Sequence, residues 1–261
     1  MTVPAAAHVS ATTASARPLA PVELIVLDMA GTTVRDDGVV ERAFERAAAE
    51  TGVAERMPWA EALDYVRRTM GQSKIDVFTH LADGDAVRAE AATAAFERAY
   101  ADLIATEGVE PIPGARETLE ALRAAGISVV LTTGFAPATR DAILDGLGWR
   151  ALVDAALSPV DVGRGRPAPD LVLAALLRTQ ASAVASVVVV GDTTSDVAAG
   201  RAAGAGLVVG VLSGAHDSAA LADAGADAVV DDVTALPGLL GLPALRRLPS
   251  PVAVAPLGID A

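Results

Sequence analysis

The chain has 261 residues, 52% of them hydrophobic, so it can bury one large core or two smaller ones. Its formal net charge is −13, and no stretch forms the basic stripe expected of a nucleic-acid-binding protein. The absence of cysteine excludes disulfides, a thiol nucleophile and a thiolate metal site. No apolar run approaches the roughly 18 residues of a membrane span, and residues 1–20 lack the apolar segment of a secretory signal. We therefore expect a cytoplasmic protein with no nucleic-acid or membrane partner.

The first predicted element is a buried strand over Leu24–Leu27, a short continuous apolar run that ends at Asp28. From residue 38 to residue 110, apolar residues recur only at helical spacing, without a strand-like run. We predict an inserted bundle of helices there, over 39–51, 59–69, 70–81 and 85–106.

Beyond residue 110, strand-like runs alternate with helical segments. We predict strands over 127–132, 152–156, 186–190, 206–211 and 227–230. This alternation is typical of an α/β fold with a doubly wound parallel sheet. The predicted organisation is a disordered tail over 1–20, an α/β core over 21–37 and 111–241, a helical insertion over 38–110, and a Pro/Ala-rich tail over 242–261.

Polar residues follow several of the predicted strands, at the point where each strand ends. Because the carboxyl ends of parallel strands border the ligand crevice of an open sheet, we expect these residues to converge there. They are Asp28 after the first strand, Thr133 and Gly134 after the second, Asp192 and Asp196 after the fourth, and Arg166 in the loop before the fourth.

Three carboxylates, from Asp28, Asp192 and Asp196, cannot lie together without a cation between them. Without cysteine or a histidine cluster, the oxygen ligands favour Mg²⁺. Asp28 could then act as a nucleophile toward a phosphoryl group. Alternatively, Asp28 only caps the next helix, and Asp192 and Asp196 only cap a helix and lie on its solvated face.

Other residues around these strand ends suit a phosphate-like dianion. They are the hydroxyl of Thr133, the N–H of Gly134 and the guanidinium of Arg166, with further backbone N–H groups predicted from Gly31 and Thr32.

Lys74 is the only lysine beside 19 arginines. A position that keeps lysine in such a chain fits a need for a deprotonatable primary amine, which arginine cannot supply. The alternative explanation is that Lys74 survived by drift, without a functional need for lysine.

The four sequence segments DMAGTT, LTTG, GRGRP and VGDTTSD resemble the four motifs of the haloacid dehalogenase superfamily. The resemblance covers about residues 22–240. It implies a Rossmann-like core, and it implies that the helical insertion after the first motif is a small cap domain.

Within that superfamily the chain is similar to the phosphonoacetaldehyde hydrolase family. Ala30 stands where ordinary phosphatases carry a second aspartate, and Met70 opens the segment MGQSKID, similar to that family's MGxxKID. The resemblance implies that Lys74 forms a Schiff base with phosphonoacetaldehyde while Asp28 attacks phosphorus. It further implies Met70 as a substrate-binding residue, a homodimer through the cap, and a metal site of Asp28, Ala30, Asp192 and Asp196.

The chain also departs from that family. The family's cap cysteine is absent, and Val77, Phe135 and Asp170 replace a histidine, a tyrosine and a bulkier aromatic residue. A second hypothesis is therefore a phosphomonoester phosphatase on a small metabolite, in which Lys74 only binds phosphate as a cation. A third is a catalytically silent protein that binds phosphorylated ligands.

Overall fold

The computed structural model describes residues 21–242; the predicted tail over 1–20 and residues 243–261 of the second tail lie outside the described residues. Six parallel strands form one sheet. They are β1 (Leu24–Asp28), β2 (Ser128–Thr132), β3 (Ala155–Leu157), β4 (Val187–Gly191), β5 (Leu207–Val211) and β6 (Ala228–Val230), and their order in the sheet is β3-β2-β1-β4-β5-β6. The predicted doubly wound parallel sheet is confirmed.

Ten α-helices lie within the described range. Five fall between β1 and β2, the first four of them in the insertion, and the other five connect or follow the later strands of the sheet. They are α1 (Val39–Thr51), α2 (Trp59–Arg68), α3 (Lys74–Leu81), α4 (Ala86–Glu107), α5 (Ala115–Ala124), α6 (Pro137–Leu147), α7 (Asp170–Thr179), α8 (Thr194–Ala203), α9 (Ser218–Asp223) and α10 (Leu236–Leu239). The sequence pattern did not predict α10.

The third strand was predicted over 152–156 but runs over Ala155–Leu157. The N–H of Leu152 donates to the carbonyl of Trp149 in a turn at 2.8 Å. The N–H of Asp154 donates to the carbonyl of Val129 at 2.8 Å, but the N–H of Val129 donates to the side chain of Asp154 and not to a backbone carbonyl, also at 2.8 Å. The apolar pattern of the sequence alone does not reveal that a side chain accepts this hydrogen bond.

The central strand β1 is buried on both faces, as its continuous apolar sequence predicts. Ile25 and Leu27 pack into the core cluster that contains α5, whereas Leu24 and Val26 pack into the cluster that contains α7. The strand lies between β2 and β4, so Asp28 ends at the middle of the sheet edge.

The helical insertion has its own aromatic core, in which α1 packs along α4. The ring centre of Phe44 lies 4.7 Å from that of Phe96 and 5.0 Å from that of Phe78. This packing fixes the start of α3, where Lys74 lies. Within residues 21–242, none of the helices combines the length and the apolar character needed to cross a membrane.

Candidate active site

The carboxyl ends of β1 and β4 bring three buried carboxylates together. Asp28 is the last residue of β1, Asp192 follows β4 directly, and Asp196 lies in the first turn of α8. One carboxylate oxygen of each lies within 4.8 Å of those of the other two. The predicted convergence of these residues is therefore observed.

Arg166 is the cation in contact with this cluster. Its Nη1 lies 2.7 Å from Oδ1 of Asp28 and also pairs with Oδ1 of Asp196. The side chain is buried, and its Nε has no hydrogen-bond partner among the described residues. One guanidinium thus faces three carboxylates.

Hydrogen bonds from the protein fix the orientation of Asp192 and Asp196. The Thr32 hydroxyl donates to Oδ1 of Asp192 and the N–H of Ala215 donates to Oδ2, both at 2.8 Å. Oδ2 of Asp196 accepts from both the N–H and the hydroxyl of Thr193, in a capping box at the start of α8.

Burial is the main electrostatic influence on the cluster. It raises the pKa of Asp28 well above its usual value, although the charge of Arg166 opposes that rise. Burial, then the negative charge of Asp196, raises the pKa of Asp192 to about 7. Both pKa values rise chiefly because a buried carboxylate loses its solvation, and further because neighbouring negative charges repel it.

These residues fit a divalent cation. Three buried carboxylates against one guanidinium leave excess negative charge, and oxygen donors are what Mg²⁺ prefers. Asp28, Asp192 and Asp196 would hold the ion. Ala30 has no side-chain donor, so it could take part only through its backbone carbonyl.

A cavity of about 660 Å³ opens over Asp28. Nine of the eleven predicted site residues line it: Asp28, Ala30, Gly31, Met70, Lys74, Thr133, Gly134, Arg166 and Asp192. The other two, Thr32 and Asp196, are buried behind this wall, where they contact Asp192 and Arg166 respectively.

The structure corrects the prediction that Gly31 and Thr32 offer backbone N–H groups to an anion. The N–H of Gly31 donates to the carbonyl of Val34 at 2.7 Å, and that of Thr32 donates to Met29 at 3.2 Å. The turn after β1 satisfies its own donors, which the local sequence does not reveal. The role of Thr32 seen here is its hydroxyl contact with Asp192.

Lys74 is the first residue of α3, and only 5% of its surface is exposed. Its Nζ lies over three phenyl rings, 5.4 Å from the centres of Phe44 and Phe96 and 5.2 Å from that of Phe135. No carboxylate of the described chain lies within 4.0 Å of this amine. Burial, followed by the charge of Arg166, lowers the pKa of Lys74 to about 8.

The loop before α3 is docked on the core through close contacts at glycines. A Cβ at Gly71 would lie 2.6 Å from Oγ1 of Thr193, and one at Gly165 would lie 2.9 Å from Cβ of Ser73. A Cβ at Gly134 would overlap the carbonyl oxygen of Gln72. Glycine at these places lets the loop that carries Lys74 approach the strand ends.

A second contact between the insertion and the core lies at the start of α6. Glu97 of α4 accepts from the N–H of Ala136 at 3.0 Å and from the hydroxyl of Thr139. Tyr100 of α4 packs on Phe135, with ring centres 4.5 Å apart. The insertion therefore covers the sheet edge where Asp28 lies.

Sequence reasoning missed the loop after β5. Ser213 donates to the carbonyl of Gly31 at 2.7 Å, and Ala215 contacts Asp192 as described above. Nδ1 of His216 accepts from the N–H of Thr194 at 2.9 Å. The sequence contained a signal for this loop, because polar residues follow the apolar run of β5 as they follow those of β1, β2 and β4.

The model of the haloacid dehalogenase-like hydrolase family matches residues 22–204. The chain belongs to this family and is a hydrolase of the haloacid dehalogenase superfamily.

Named relatives refine the comparison. A phosphonoacetaldehyde hydrolase from Bacteroides fragilis is 31% identical over 199 residues, which cover 69% of this chain and 72% of the relative. A ribulose-1,5-bisphosphate 5-phosphatase from Halopiger xanaduensis is 32% identical over 92 residues, 35% of this chain and 38% of the relative. The crystal structure of a hydrolase from Pseudomonas syringae superimposes with a TM-score of 0.73 at 27% identity, over 83% of this chain and 97% of that one.

Proposed function

We propose that the chain is a Mg²⁺-dependent hydrolase of the phosphonatase type, which cleaves the C–P bond of phosphonoacetaldehyde or a related phosphonate. The observation that carries this proposal is the position of Lys74. The only lysine of the chain is buried on the wall of the same cavity as Asp28. The similarity to the phosphonoacetaldehyde hydrolase of Bacteroides fragilis supports the same substrate class.

The chemistry explains why a lysine is needed. Breaking a C–P bond leaves an electron pair on carbon, which a proton donor alone stabilises poorly. If Lys74 first condenses with the substrate aldehyde, that electron pair moves through the iminium carbon to nitrogen and the leaving group is an enamine. Protonation of the enamine at carbon and hydrolysis of the imine then release acetaldehyde and regenerate the amine.

Asp28 accepts the phosphoryl group in this proposal. Its carboxylate oxygen forms a bond to phosphorus as the C–P bond breaks, and water later hydrolyses the resulting aspartyl phosphate to phosphate. Arg166, 2.7 Å from Asp28, lowers the pKa of this carboxylate against the larger effect of burial and faces the incoming phosphonate. A bound Mg²⁺ would offset the repulsion between Asp28 and the phosphoryl oxygens.

Ala30 favours a phosphonate over an ordinary phosphate ester. An ester releases an alkoxide that needs a proton from a nearby acid, and alanine has no acid at this wall of the cavity. A carbon leaving group stabilised as an enamine does not need that acid. The methyl group of Ala30 is therefore consistent with the proposed reaction.

The second candidate is a phosphomonoester phosphatase in which Lys74 binds phosphate only as a cation. The similarity to a ribulose-1,5-bisphosphate 5-phosphatase over 92 residues favours it. So does the cavity volume of about 660 Å³, which exceeds the size of phosphonoacetaldehyde.

We also propose that residues 38–110 act as a cap on a core formed by 21–37 and 111–241. A homodimer through the cap and a cytoplasmic location remain predictions.

Phosphate release with a panel of phosphonates and phosphate esters tests the proposed function. We expect phosphonoacetaldehyde to give equal amounts of phosphate and acetaldehyde, in a Mg²⁺-dependent reaction. Turnover of a phosphate ester together with no cleavage of any phosphonate would establish the phosphatase instead.

A further inference from the structure

Asp36 lies between β1 and α1 and lines the same cavity as Lys74 and Asp28. Its Oδ1 accepts a hydrogen bond from the N–H of Val40 at 3.0 Å, which fixes the carboxylate at the start of α1. Its Oδ2 accepts no hydrogen bond, and no cation lies within 4.0 Å of either oxygen, among the described residues. Asp36 thus presents an oriented carboxylate with one open oxygen.

Two neighbouring acids in the cavity wall are engaged in ion pairs. Glu41 accepts two hydrogen bonds from Arg67, at 2.8 and 2.9 Å. Asp37 is exposed and lies 3.5 Å from Nε of Arg35. Neither side chain offers a carboxylate that is both oriented and open to the cavity.

The other titratable groups near the cavity are hydrogen-bonded, protonated or part of the carboxylate cluster. Nδ1 of His216 accepts from the N–H of Thr194. Asp232 also has one engaged oxygen, Oδ1, which accepts from the N–H and hydroxyl of Thr234, but the charge of Asp36 acts on Lys74 and that of Asp232 is not among those that do. Burial, then the charge of Asp36, raises the pKa of Tyr100, so its phenol stays protonated near neutral pH and cannot act as a base. Asp28 and Asp192 belong to the carboxylate cluster.

Imine formation at Lys74, on which this inference rests, needs a group that moves protons. The ammonium form carries three protons and the iminium product carries one, so two protons must pass from nitrogen to the carbonyl oxygen, which leaves as water. We propose that Asp36 is this proton carrier: its carboxylate lies more than 4.0 Å from the Lys74 nitrogen, so its open oxygen takes each proton from that nitrogen through one bridging water and delivers it to the substrate oxygen. Asp36 ends as the carboxylate with which it began.

The electrostatics of Asp36 agree with that role. Burial raises its pKa above the usual value, and the charge of Lys74 acts in the opposite direction. The negative charge of Asp36 in turn raises the pKa of Lys74, against the larger effect of burial. A carboxyl group with a raised pKa exchanges protons closer to neutral pH, where general acid–base catalysis is most effective.

The test compares Asp36→Asn with Asp37→Asn in the full-length protein. The amide introduced by Asp36→Asn keeps an oxygen that accepts from Val40 but cannot carry a proton. Asp37→Asn removes the same charge one residue away, and asparagine tolerates the positive φ of 43° at that position. The rate of imine formation is measured by quenching mixtures with phosphonoacetaldehyde at timed intervals with borohydride and quantifying the labelled protein.

We expect Asp36→Asn to slow labelling by about a hundredfold or more, with Asp37→Asn close to the unmodified chain. Added formate should restore part of the rate in Asp36→Asn, which a purely structural defect would not allow. Equal labelling rates in the unmodified chain and Asp36→Asn would overturn the role of Asp36 alone. Absence of labelling in the unmodified chain would instead overturn the imine, and the role of Asp36 with it.

Discussion

Oδ1 of Asp28 lies 2.7 Å from Nη1 of Arg166, and both side chains are buried. Burial alone would favour the protonated form of Asp28, which is a poor nucleophile, and the guanidinium opposes this effect. A buried charge pair of this kind is weak evidence for stability. Its position at the end of the central strand fits a role in orienting a reactive carboxylate and in favouring its ionised form against burial.

Replacement of Asp28 by asparagine should abolish turnover without unfolding the protein. The amide keeps the shape of the side chain but cannot form an acyl phosphate, so we expect phosphate release to fall by roughly 10⁴-fold or more. Removing one of three crowded carboxylates should leave the melting temperature unchanged or higher. Activity of Asp28→Asn near that of the unmodified chain would exclude aspartyl-phosphate chemistry.

Asp192→Ala should weaken the response to Mg²⁺ more than Asp196→Ala. Oδ2 of Asp196 already accepts two hydrogen bonds from Thr193 and its Oδ1 pairs with the charged Arg166, whereas each oxygen of Asp192 accepts one hydrogen bond from a neutral donor. We expect Asp192→Ala to raise the half-saturating Mg²⁺ concentration by about a hundredfold and Asp196→Ala by less. Activity titrated with Mg²⁺ measures this, and the same unchanged midpoint in both variants would place the metal elsewhere.

Gly134→Ala should prevent the loop that carries Lys74 from docking. The added Cβ would overlap the carbonyl oxygen of Gln72, so Lys74 would move away from Asp28. A displacement of about 1 Å in a reacting group can cost about a hundredfold in rate, and we expect a loss of that size in kcat/KM. Gly238→Ala is the matched control, because a Cβ there meets no atom within 4 Å. Similar activities of the two variants would contradict the docked arrangement.

The pH dependence should reflect Lys74. Burial and the charge of Arg166 lower its pKa to about 8, so the neutral amine becomes available, and kcat/KM should rise, as pH increases through about 8. An unperturbed lysine would place this rise near about 10.4. The charge of Glu97 raises the pKa of Lys74, so Glu97→Gln should move the midpoint to lower pH. A midpoint near 10, or one that Glu97→Gln leaves in place, would contradict this environment.

Much of the fold and of the site could be predicted because each depends on local patterns. The apolar run of β1 and the alternation after residue 110 specify a parallel sheet, and the parallel sheet brings Asp28 and Asp192 to one edge. The single lysine could be singled out from composition, although its three phenyl neighbours lie on α1, on α4 and in the loop after β2, which only tertiary packing brings to α3.

What could not be predicted depends on contacts between distant segments. The turn after β1 satisfies the N–H groups of Gly31 and Thr32 internally, so these groups do not face an anion. The isolation of Asp36 becomes visible only when the ion pairs around it are known. His216 reaches the cavity because the backbone of its loop is tied to Asp192.

Covalent labelling of Lys74 is the most direct measurement of the proposed chemistry. Incubation with phosphonoacetaldehyde and borohydride should reduce the imine to a stable adduct, which peptide mass analysis should locate at Lys74, the only lysine of the chain. Lys74→Arg should show neither label nor turnover, because a guanidinium keeps the charge but cannot condense with an aldehyde. An unlabelled Lys74, together with an active Lys74→Arg variant, would contradict the Schiff base and favour the phosphatase.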